Sequence, residues 1–363
     1  MGAAIFRTPI ARMIFAASLA ILCLAGAGPA FQEPAVALRS PVPRDPRWLA
    51  FPGGTGPGAG KRVVLLAGDE EYRSEEALPM LAQLLAERHG FETVVLFSQD
   101  PESGAIDPGN QTHVPGLHLL DDADLVLLAL RFRELPDADM AHFDAYLASG
   151  RPLIGLRTST HAFDYRRDPD SKYAHWTWNA DAPRGGFGGA VLGDTWVAHH
   201  GGHGSESTGG RVEAAAADLP ILRGVHDVWG PTDVYTVRAL PADATLLLRG
   251  LVLAGMDPAD PPVTDGRNEP AMALAWIRER PLPGGEVQRV FCTTMGAAQD
   301  FANEGLRRLV VQACYWGLGL EAAIPASGAD VALRSPYVPS AFGFGRHRPG
   351  LRPADYRAGM PDR

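Results

Sequence analysis

Short, continuous apolar runs alternate with amphipathic stretches through the first half of the chain. Such runs are typical of parallel strands that are buried on both faces of a sheet, and they occupy residues 62–67, 91–97, 124–130 and 152–156. The amphipathic stretches carry apolar residues three and four positions apart and predict two helices, one ending near His89 and one at residues 137–149. This alternation predicts an α/β fold with a doubly wound, mainly parallel sheet and helices on both faces.

The pattern is less regular in the second half. Residues 166–210 contain few apolar periods but many glycine, histidine and tryptophan residues, and an irregular segment of this length is usually functional. Regular patterns then return, with strands at 245–248, 271–277 and 287–294 and a helix at 304–318. We find no internal repeat.

The two ends of the chain differ in composition from the α/β domain, which we place at residues 61–323. Residues 1–30 combine a positive flank, an apolar run and small residues, which predicts a secretory signal peptide. The apolar run is short for an uncleaved spanning helix of ~20 residues. Residues 31–60, rich in proline and glycine, predict a linker or a loosely attached arm. Residues 324–363 predict an irregular C-terminal tail, which could lie over the domain through Tyr337, Phe342 and Phe344.

Composition and charge narrow the classes of function. Of 363 residues, 46% are hydrophobic and 21% are charged, which is ordinary for a soluble globular protein. The net charge of −9 argues against nucleic acid as a partner, because that binding depends on neutralising phosphates. We expect an exported protein, periplasmic or extracellular, with no stable insertion in a membrane. Outside the signal region only Cys292 and Cys314 remain, and both are expected to be buried thiols.

Polar residues follow three of the predicted strands. They lie at 69–74, 157–161 and 299–300, and the carboxyl ends of parallel strands meet at one edge of a sheet, where ligands bind. We expect Glu71 to act as a catalytic acid or base. The predicted ligand-binding residues are Asp69, Glu70, Tyr72, Arg157, Thr158, Ser159 and Gln299. The alternative is that these residues only cap the segments that follow.

Histidine and tryptophan residues supply further candidates. His200 and His203 lie in a glycine-rich run, HHGGHGSE, and with His161 they could act as acid–base groups or bind a divalent metal. The spacing matches no defined zinc motif, and the alternative is that these histidines are hydrogen-bonding loop residues. Trp176 and Trp178 could stack on a sugar ring, or they could pack this segment onto the core.

The chain lacks a nucleophile at the position where an α/β fold would present one. The strand-to-helix elbow requires the pattern G-x-S-x-G or its cysteine form. Here the corresponding residues, 155–159, are GLRTS, so Arg157 occupies the position of the nucleophile. An arginine remains cationic and cannot attack, although it can bind an anion or polarise a carbonyl group. Cys292 lies within a predicted strand and is not a substitute.

The chain resembles the trehalose-utilisation (ThuA-like) family, which shares the class I glutamine amidotransferase-like fold. Five segments carry the resemblance: GDEEYRSEEALPMLAQLL, GLRTSTHAF, HHGGHG, GPTDVYTV and TTMGAAQDFANEGLRRLVVQACYWGLGLE. The resemblance implies a flavodoxin-like sheet and a role in carbohydrate catabolism, on 3-keto derivatives of disaccharides, beside a sugar dehydrogenase. The amidotransferases use Cys-His-Glu, and this chain departs from them at the cysteine, so no glutaminase activity is expected. Ala297 also replaces a histidine that many relatives carry.

Two classes of function remain open from the sequence. The first is an isomerase, lyase or hydrolase that acts on a keto-sugar or related glycoside, with Arg157 and Gln299 orienting the substrate. The second is a non-catalytic carbohydrate-binding or accessory protein that uses the same pocket, with Trp176 and Trp178 as stacking platforms. The sugar, the metal and the oligomeric state are not predicted.

Overall fold

The computed structural model describes residues 1–2 and 39–361, so the predicted signal peptide lies almost wholly outside the described residues. The described strands are β1 (Trp48–Phe51), β2 (Arg62–Gly68), β3 (Glu92–Phe97), β4 (Leu125–Leu130), β5 (Leu153–Leu156), β6 (Thr208–Val212), β7 (Trp229–Gly230), β8 (Ala244–Val252), β9 (Met272–Pro281) and β10 (Val287–Thr293). The described α-helices are α1 (Ser74–His89), α2 (Asp137–Ala148) and α3 (Glu304–Gly317).

All of these strands belong to one sheet, in the order β1-β3-β2-β4-β5-β10-β9-β8-β6-β7. The five central strands, β3, β2, β4, β5 and β10, are mutually parallel. Counted along the chain, they follow the order 2-1-3-4-5. The remaining strands extend the sheet on both sides with antiparallel pairing. The predicted α/β class with a parallel centre is therefore confirmed, and the antiparallel flanks are an addition that the sequence pattern did not indicate.

Both faces of the central sheet are covered, which explains why its strands are continuously apolar. In β2, Val63 and Leu65 belong to a core shared with α1 and α3. Their neighbours Val64 and Leu66 point to the opposite face and belong to a second core with α2. Alternation along the strand thus supplies two hydrophobic layers from a single apolar run.

The structure differs from the sequence prediction in the segment expected to be a linker, residues 31–60. Within it, Trp48–Phe51 forms an edge strand that pairs antiparallel with β3. Trp48, Leu49 and Phe51 are buried, so tertiary packing stabilises this strand. With four residues, the strand is too short for a hydrophobic periodicity to be recognised in the sequence. Strand β6 was also missed, because Gly209 and Gly210 provide no apolar pattern.

The C-terminal tail contains no α-helix or strand among its described residues, as predicted, and it is nevertheless anchored to the domain. The Tyr337 hydroxyl donates a hydrogen bond to the carbonyl of Ala298 (3.1 Å). The Tyr356 ring stacks on Phe97, with a centroid separation of 6.3 Å. The tail therefore lies over the domain and reaches the carboxyl edge of the parallel strands.

Among the described helices, none has the length and apolar character needed to cross a bilayer.

Candidate histidine–carboxylate site

Arg157 begins the turn after β5 and organises the interior of the site. Its φ of 39° is left-handed, a strained conformation for a residue with a side chain, and such strain concentrates at functional sites. The guanidinium is 1% exposed. It lies between the rings of Tyr72 (4.1 Å) and Tyr235 (4.3 Å). Its Nη2 donates to Asp233 Oδ1 at 3.0 Å and to the Tyr72 hydroxyl at 3.1 Å.

These contacts correct the predicted role of Arg157. Its Nη1 donates to the backbone carbonyls of Asp233 (3.2 Å) and Thr294 (2.9 Å), so the donors described here point into the protein. Arg157 occupies the elbow position, as predicted, but it is too buried to bind a ligand oxygen. It instead positions the Asp233 carboxylate.

Asp233 is the centre of the site, and the sequence analysis did not single it out. Its side chain is fully buried. Oδ1 accepts hydrogen bonds from Arg157 and from His203 Nδ1 (3.0 Å), and Oδ2 accepts one from His199 Nδ1 (2.7 Å). Burial opposes ionisation of this carboxyl, but the His199 hydrogen bond and the Arg157 charge outweigh burial and hold its pKa at about 2. The sequence could have indicated Asp233 because this residue lies in GPTDVYTV, one of the segments that carry the family resemblance.

His199 and His203 are the two exposed partners of Asp233. Their rings are 4.7 Å apart, and their side chains are 37% and 36% exposed. In each ring Nδ1 donates to the Asp233 carboxylate, so Nε2 is the nitrogen that is left for other partners. His203 Nε2 lies 3.3 Å from Glu71 Oε1. His203 is thus in the predicted position, whereas His199 was missed.

His200, a predicted site residue, has a partner other than Asp233. Its Nε2 donates to the backbone carbonyl of Arg267 at 2.9 Å. The preceding residue, His199, pairs with Tyr235 in a short β-bridge. Successive residues of an extended segment project to opposite sides, so only one of the two adjacent histidines can face Asp233.

His161 forms part of the buried floor. It is 3% exposed, and its ring lies 5.0 Å from Phe132, 5.5 Å from Trp196 and 6.3 Å from Tyr235. Burial, followed by the charges of Arg131 and Arg157, lowers its pKa well below the ordinary value, so the ring is neutral. His161 and Arg157 both lie beside the Tyr235 ring. Arg157 and His203 both donate to Asp233, and none of the described contacts links His161 to that carboxylate.

The two adjacent glutamates that follow β2 have different partners. Glu70 forms ion pairs with Arg131 and Arg133, the latter at 2.9 Å. Glu71 is adjacent to His203, and Arg131 Nε lies 3.7 Å from its Oε2. Burial raises the pKa of both carboxyls, and the charge of Asp69 adds to this effect at each of them. Glu71 therefore fits the predicted acid–base role, whereas Glu70 is occupied by its arginine partners.

Three predicted ligand-binding residues support the loops instead. Asp69 Oδ1 accepts the backbone N–H groups of Glu71 (2.7 Å) and Tyr72 (2.9 Å), and the Thr158 hydroxyl donates to its other oxygen. The Ser159 hydroxyl donates to the carbonyl of Leu128 at 2.9 Å. Asp69, Thr158 and Ser159 are all buried, and their hydrogen bonds hold the loops after β2 and β5 in place.

Aromatic residues border the histidines, but Trp176 is not among them. Trp176 packs on Phe187 and His175 at centroid distances of 6.2 and 4.5 Å. Trp196 instead lies 5.8 Å from His199, and its ring is 5.8 Å from that of Trp178. Trp178 and Trp196 thus contribute aromatic faces beside His199. 

Two more predicted residues, Tyr72 and Gln299, face the C-terminal tail. The Tyr72 ring lies 5.6 Å from Phe342. Gln299 Oε1 accepts the backbone N–H of Phe342 at 3.0 Å.

One group of donors among the described residues is close enough to hold a metal ion. It comprises one atom each from His199, His203 and Asp233, all within 4.8 Å of one another. Two imidazoles and a carboxylate suit a divalent transition metal with open coordination positions. The predicted ligands His161 and His200 are not part of this group.

The two free cysteines of residues 39–361 do not contribute to the site. Cys292 and Cys314 are both buried. Burial raises the pKa of the Cys292 thiol far above its ordinary value, and burial raises that of Cys314 to about 12. Neither is a candidate nucleophile.

The fold and site define the protein as an α/β protein with a histidine–carboxylate centre at the carboxyl edge of a parallel sheet. No family model and no curated protein matches the chain. Among solved structures, it is similar to a protein described as ThuA-like from Bacteroides uniformis (14% identity, TM-score 0.46, 74% of this chain and 95% of that chain). It is also similar to one from Parabacteroides merdae with the same description (12% identity, TM-score 0.44, 79% and 95%). Both descriptions name the family that the sequence motifs resemble.

A further similar structure is the glutaminase domain of Trypanosoma brucei CTPS with bound acivicin. It has 8% identity and a TM-score of 0.37, and the match covers 76% of this chain and 100% of that chain. Likenesses at this level assign no activity and no residue role.

Proposed function

We propose that this protein is an exported, ThuA-like enzyme of carbohydrate catabolism that acts on a keto-sugar or a disaccharide derivative. The observation that carries the proposal is the pairing of one buried, ionised carboxylate, Asp233, with two half-exposed imidazoles. A carboxylate that holds Nδ1–H directs the Nε2 lone pair outward, which is the arrangement of a general base. The 2-1-3-4-5 order of the parallel strands supports a flavodoxin-like sheet with its site at the carboxyl edge.

Proton transfer beside a carbonyl group is the chemistry that these residues fit. In a 3-keto-sugar the hydrogen on the carbon next to the ketone is acidic. His199 Nε2 takes this proton, and the C–H bonding electrons form an enolate on the ketone oxygen. Glu71, which burial and neighbouring charge keep protonated to higher pH, supplies a proton either to that oxygen or to a departing glycosidic oxygen. Protonation of the ketone oxygen gives an enediol. Isomerisation follows when the neighbouring hydroxyl gives up its proton and the former carbonyl carbon gains one, whereas departure of the protonated glycosidic oxygen completes an elimination. A lyase or an isomerase is therefore the expected class.

The experiment is a turnover assay with a 3-keto-disaccharide, run beside calorimetric binding of the same compound. His199→Gln should lower turnover by about 10²–10⁴-fold, the usual contribution of a general base. His200→Ala is the matched control, because the adjacent histidine faces Arg267, and it should keep wild-type turnover. Equal turnover in the wild type and His199→Gln would contradict the assignment. Binding without turnover by the wild type would favour the non-catalytic accessory protein.

A metal-dependent enzyme is a second candidate, favoured by the His199, His203 and Asp233 donors. Purified wild-type protein and the His203→Ala and His200→Ala variants would be analysed for bound zinc, manganese and iron after dialysis. A bound metal near one equivalent that is lost in His203→Ala and kept in His200→Ala would support this candidate. Metal-free protein with full turnover would leave the acid–base proposal.

A further inference from the structure

The C-terminal tail is hydrogen-bonded to the two loops that carry site residues. The backbone N–H of Gly343 donates to the carbonyl of Glu71 at 2.7 Å. The backbone N–H of Phe342 donates to the side-chain oxygen of Gln299 at 3.0 Å. One bond reaches the loop after β2 and the other reaches the loop after β10, so this part of the tail bridges the edge of the sheet.

Two further bonds hold the same short segment to the start of α1. The backbone N–H of Ser340 donates to Glu76 Oε2 at 2.6 Å, and Arg73 Nη2 donates to the carbonyl of Gly343 at 3.1 Å. Arg73 and Glu76 are buried. Residues 340–344 are therefore docked through backbone groups, which leaves the side chains of Phe342 and Phe344 free for other contacts.

Those two side chains pack against residues of the site. The Phe342 ring lies 5.5 Å from the ring of His203 and 5.6 Å from that of Tyr72. The Phe344 ring lies 5.0 Å from the guanidinium carbon of Arg131. A second ring, that of Phe132, lies 4.5 Å from the same carbon. Phe344 is 59% exposed, so burial in the core does not account for its position.

A row of side chains in successive contact borders the site. It runs from His203 through His199, Trp196, Trp178 and Phe132 to Arg131, with successive separations of 4.7, 5.8, 5.8, 6.0 and 4.5 Å. Phe342 contacts one end of this row, His203, and Phe344 contacts the other end, Arg131. The Glu71 carboxylate lies between those two ends, close to both.

We propose that the tail supplies ligand-binding residues to this site, with Phe342 forming the wall beside His203 and Phe344 the wall beside Arg131. A border of aromatic faces around carboxylate and imidazole groups suits a ring with apolar C–H faces and polar edges, such as a sugar ring. This ligand class rests on the proposed function. The position of Phe342 beside His203 does not depend on that function, so the position and the ligand class are tested in separate experiments.

The first test needs no ligand. Diethyl pyrocarbonate modifies accessible imidazoles, and peptide mass spectrometry follows the rate at His203 in the wild type, Phe342→Ala and Val338→Ala. Val338 is an exposed residue of the same tail and serves as the matched control. We expect His203 to react several-fold faster in Phe342→Ala and at the wild-type rate in Val338→Ala. An unchanged rate in Phe342→Ala would overturn the proposal.

The second test measures binding of a 3-keto-disaccharide by calorimetry. Phe342→Ala and Phe344→Ala should each weaken binding roughly three- to tenfold, the effect of losing one aromatic contact, and Val338→Ala should not. The Phe344 side chain is exposed, so Phe344→Ala should fold normally, and weaker binding by this variant cannot be due to a folding defect. Equal affinity in the wild type and both phenylalanine variants would overturn the proposal. If the wild type binds no sugar while Phe342 still protects His203, the proposed substrate class fails and the tail remains the wall of the site.

Discussion

Replacing Asp233 by asparagine tests the centre of the site most directly. The carboxylate is fully buried and accepts hydrogen bonds from Arg157, His199 and His203. Asparagine has nearly the same shape, but it carries no charge and one of its two terminal atoms is a donor. The variant therefore deprives the buried Arg157 guanidinium of its ion-pair partner and places a donor opposite one of the imidazole N–H groups.

The expected loss of stability follows from the pKa of this carboxyl. A value of about 2 in the folded protein, against an ordinary value of 3.8, corresponds to about 2–3 kcal/mol at ~1.36 kcal/mol per pH unit. Removing one partner of a buried ion pair costs about 3–5 kcal/mol. Because the folded-state pKa is depressed, this stability is present above about pH 4 and is lost as the pH falls toward 2.

Urea unfolding at pH 7 and pH 3 would measure this. Asp233→Asn should lower the free energy of unfolding by about 2–5 kcal/mol at pH 7, and the difference from the wild type should shrink at pH 3. Asp121→Asn is the matched control, because Asp121 pairs with His142 on the surface and should contribute less than about 1 kcal/mol. If Asp233→Asn and the wild type unfold with the same free energy at pH 7, the carboxylate does not hold Arg157 and the imidazoles as described.

Three other predictions follow from burial and from the sequence. Cys292→Ser should keep the native activity, and the wild type should release no ammonia from glutamine; ammonia release abolished by alkylating Cys292 would contradict this. Burial outweighs the nearby Arg73 charge and raises the pKa of Glu75 to about 8. Its contribution to stability should therefore be present below pH 4.5 and decline as the pH rises through 8. In urea unfolding between pH 5 and 9, the free energy of unfolding of Glu75→Gln should vary less with pH than that of the wild type. Parallel pH profiles for the two proteins would refute this prediction. N-terminal sequencing of exported protein should find a start within a few residues of Phe31, whereas intact Met1 in the membrane fraction would exclude cleavage.

Much of the fold follows from local sequence patterns. The apolar runs that became β2, β3, β4, β5 and β10 were recognisable because a strand buried on both faces needs apolar residues at every position. The first helix, predicted to end near His89, ends there, and Gly90 follows it in a left-handed conformation with φ of 79°. Strand β1 was not predictable in this way, because its four residues are held by their pairing with β3.

The sequence could predict the candidate site only in part, through the polar residues that follow the predicted strands and through one glycine-rich loop. Glu71 and His203 were identified because polar residues at the carboxyl ends of parallel strands, and histidines in a glycine-rich loop, have few structural reasons to be there. The sequence left His199 and His200 indistinguishable, since chemistry and spacing are the same for adjacent histidines. The direction of one extended segment decides which of them meets Asp233.

Burial decided the remaining roles. Arg157 has the right chemistry to bind a ligand oxygen, but two tyrosine rings and Asp233 enclose it. Asp233 stands 34 residues from His199 and 76 from Arg157 along the chain, so no local pattern relates the three. Their meeting depends on which strands are neighbours in the sheet and on how far each loop reaches beyond its strand, and both are properties of the packed chain.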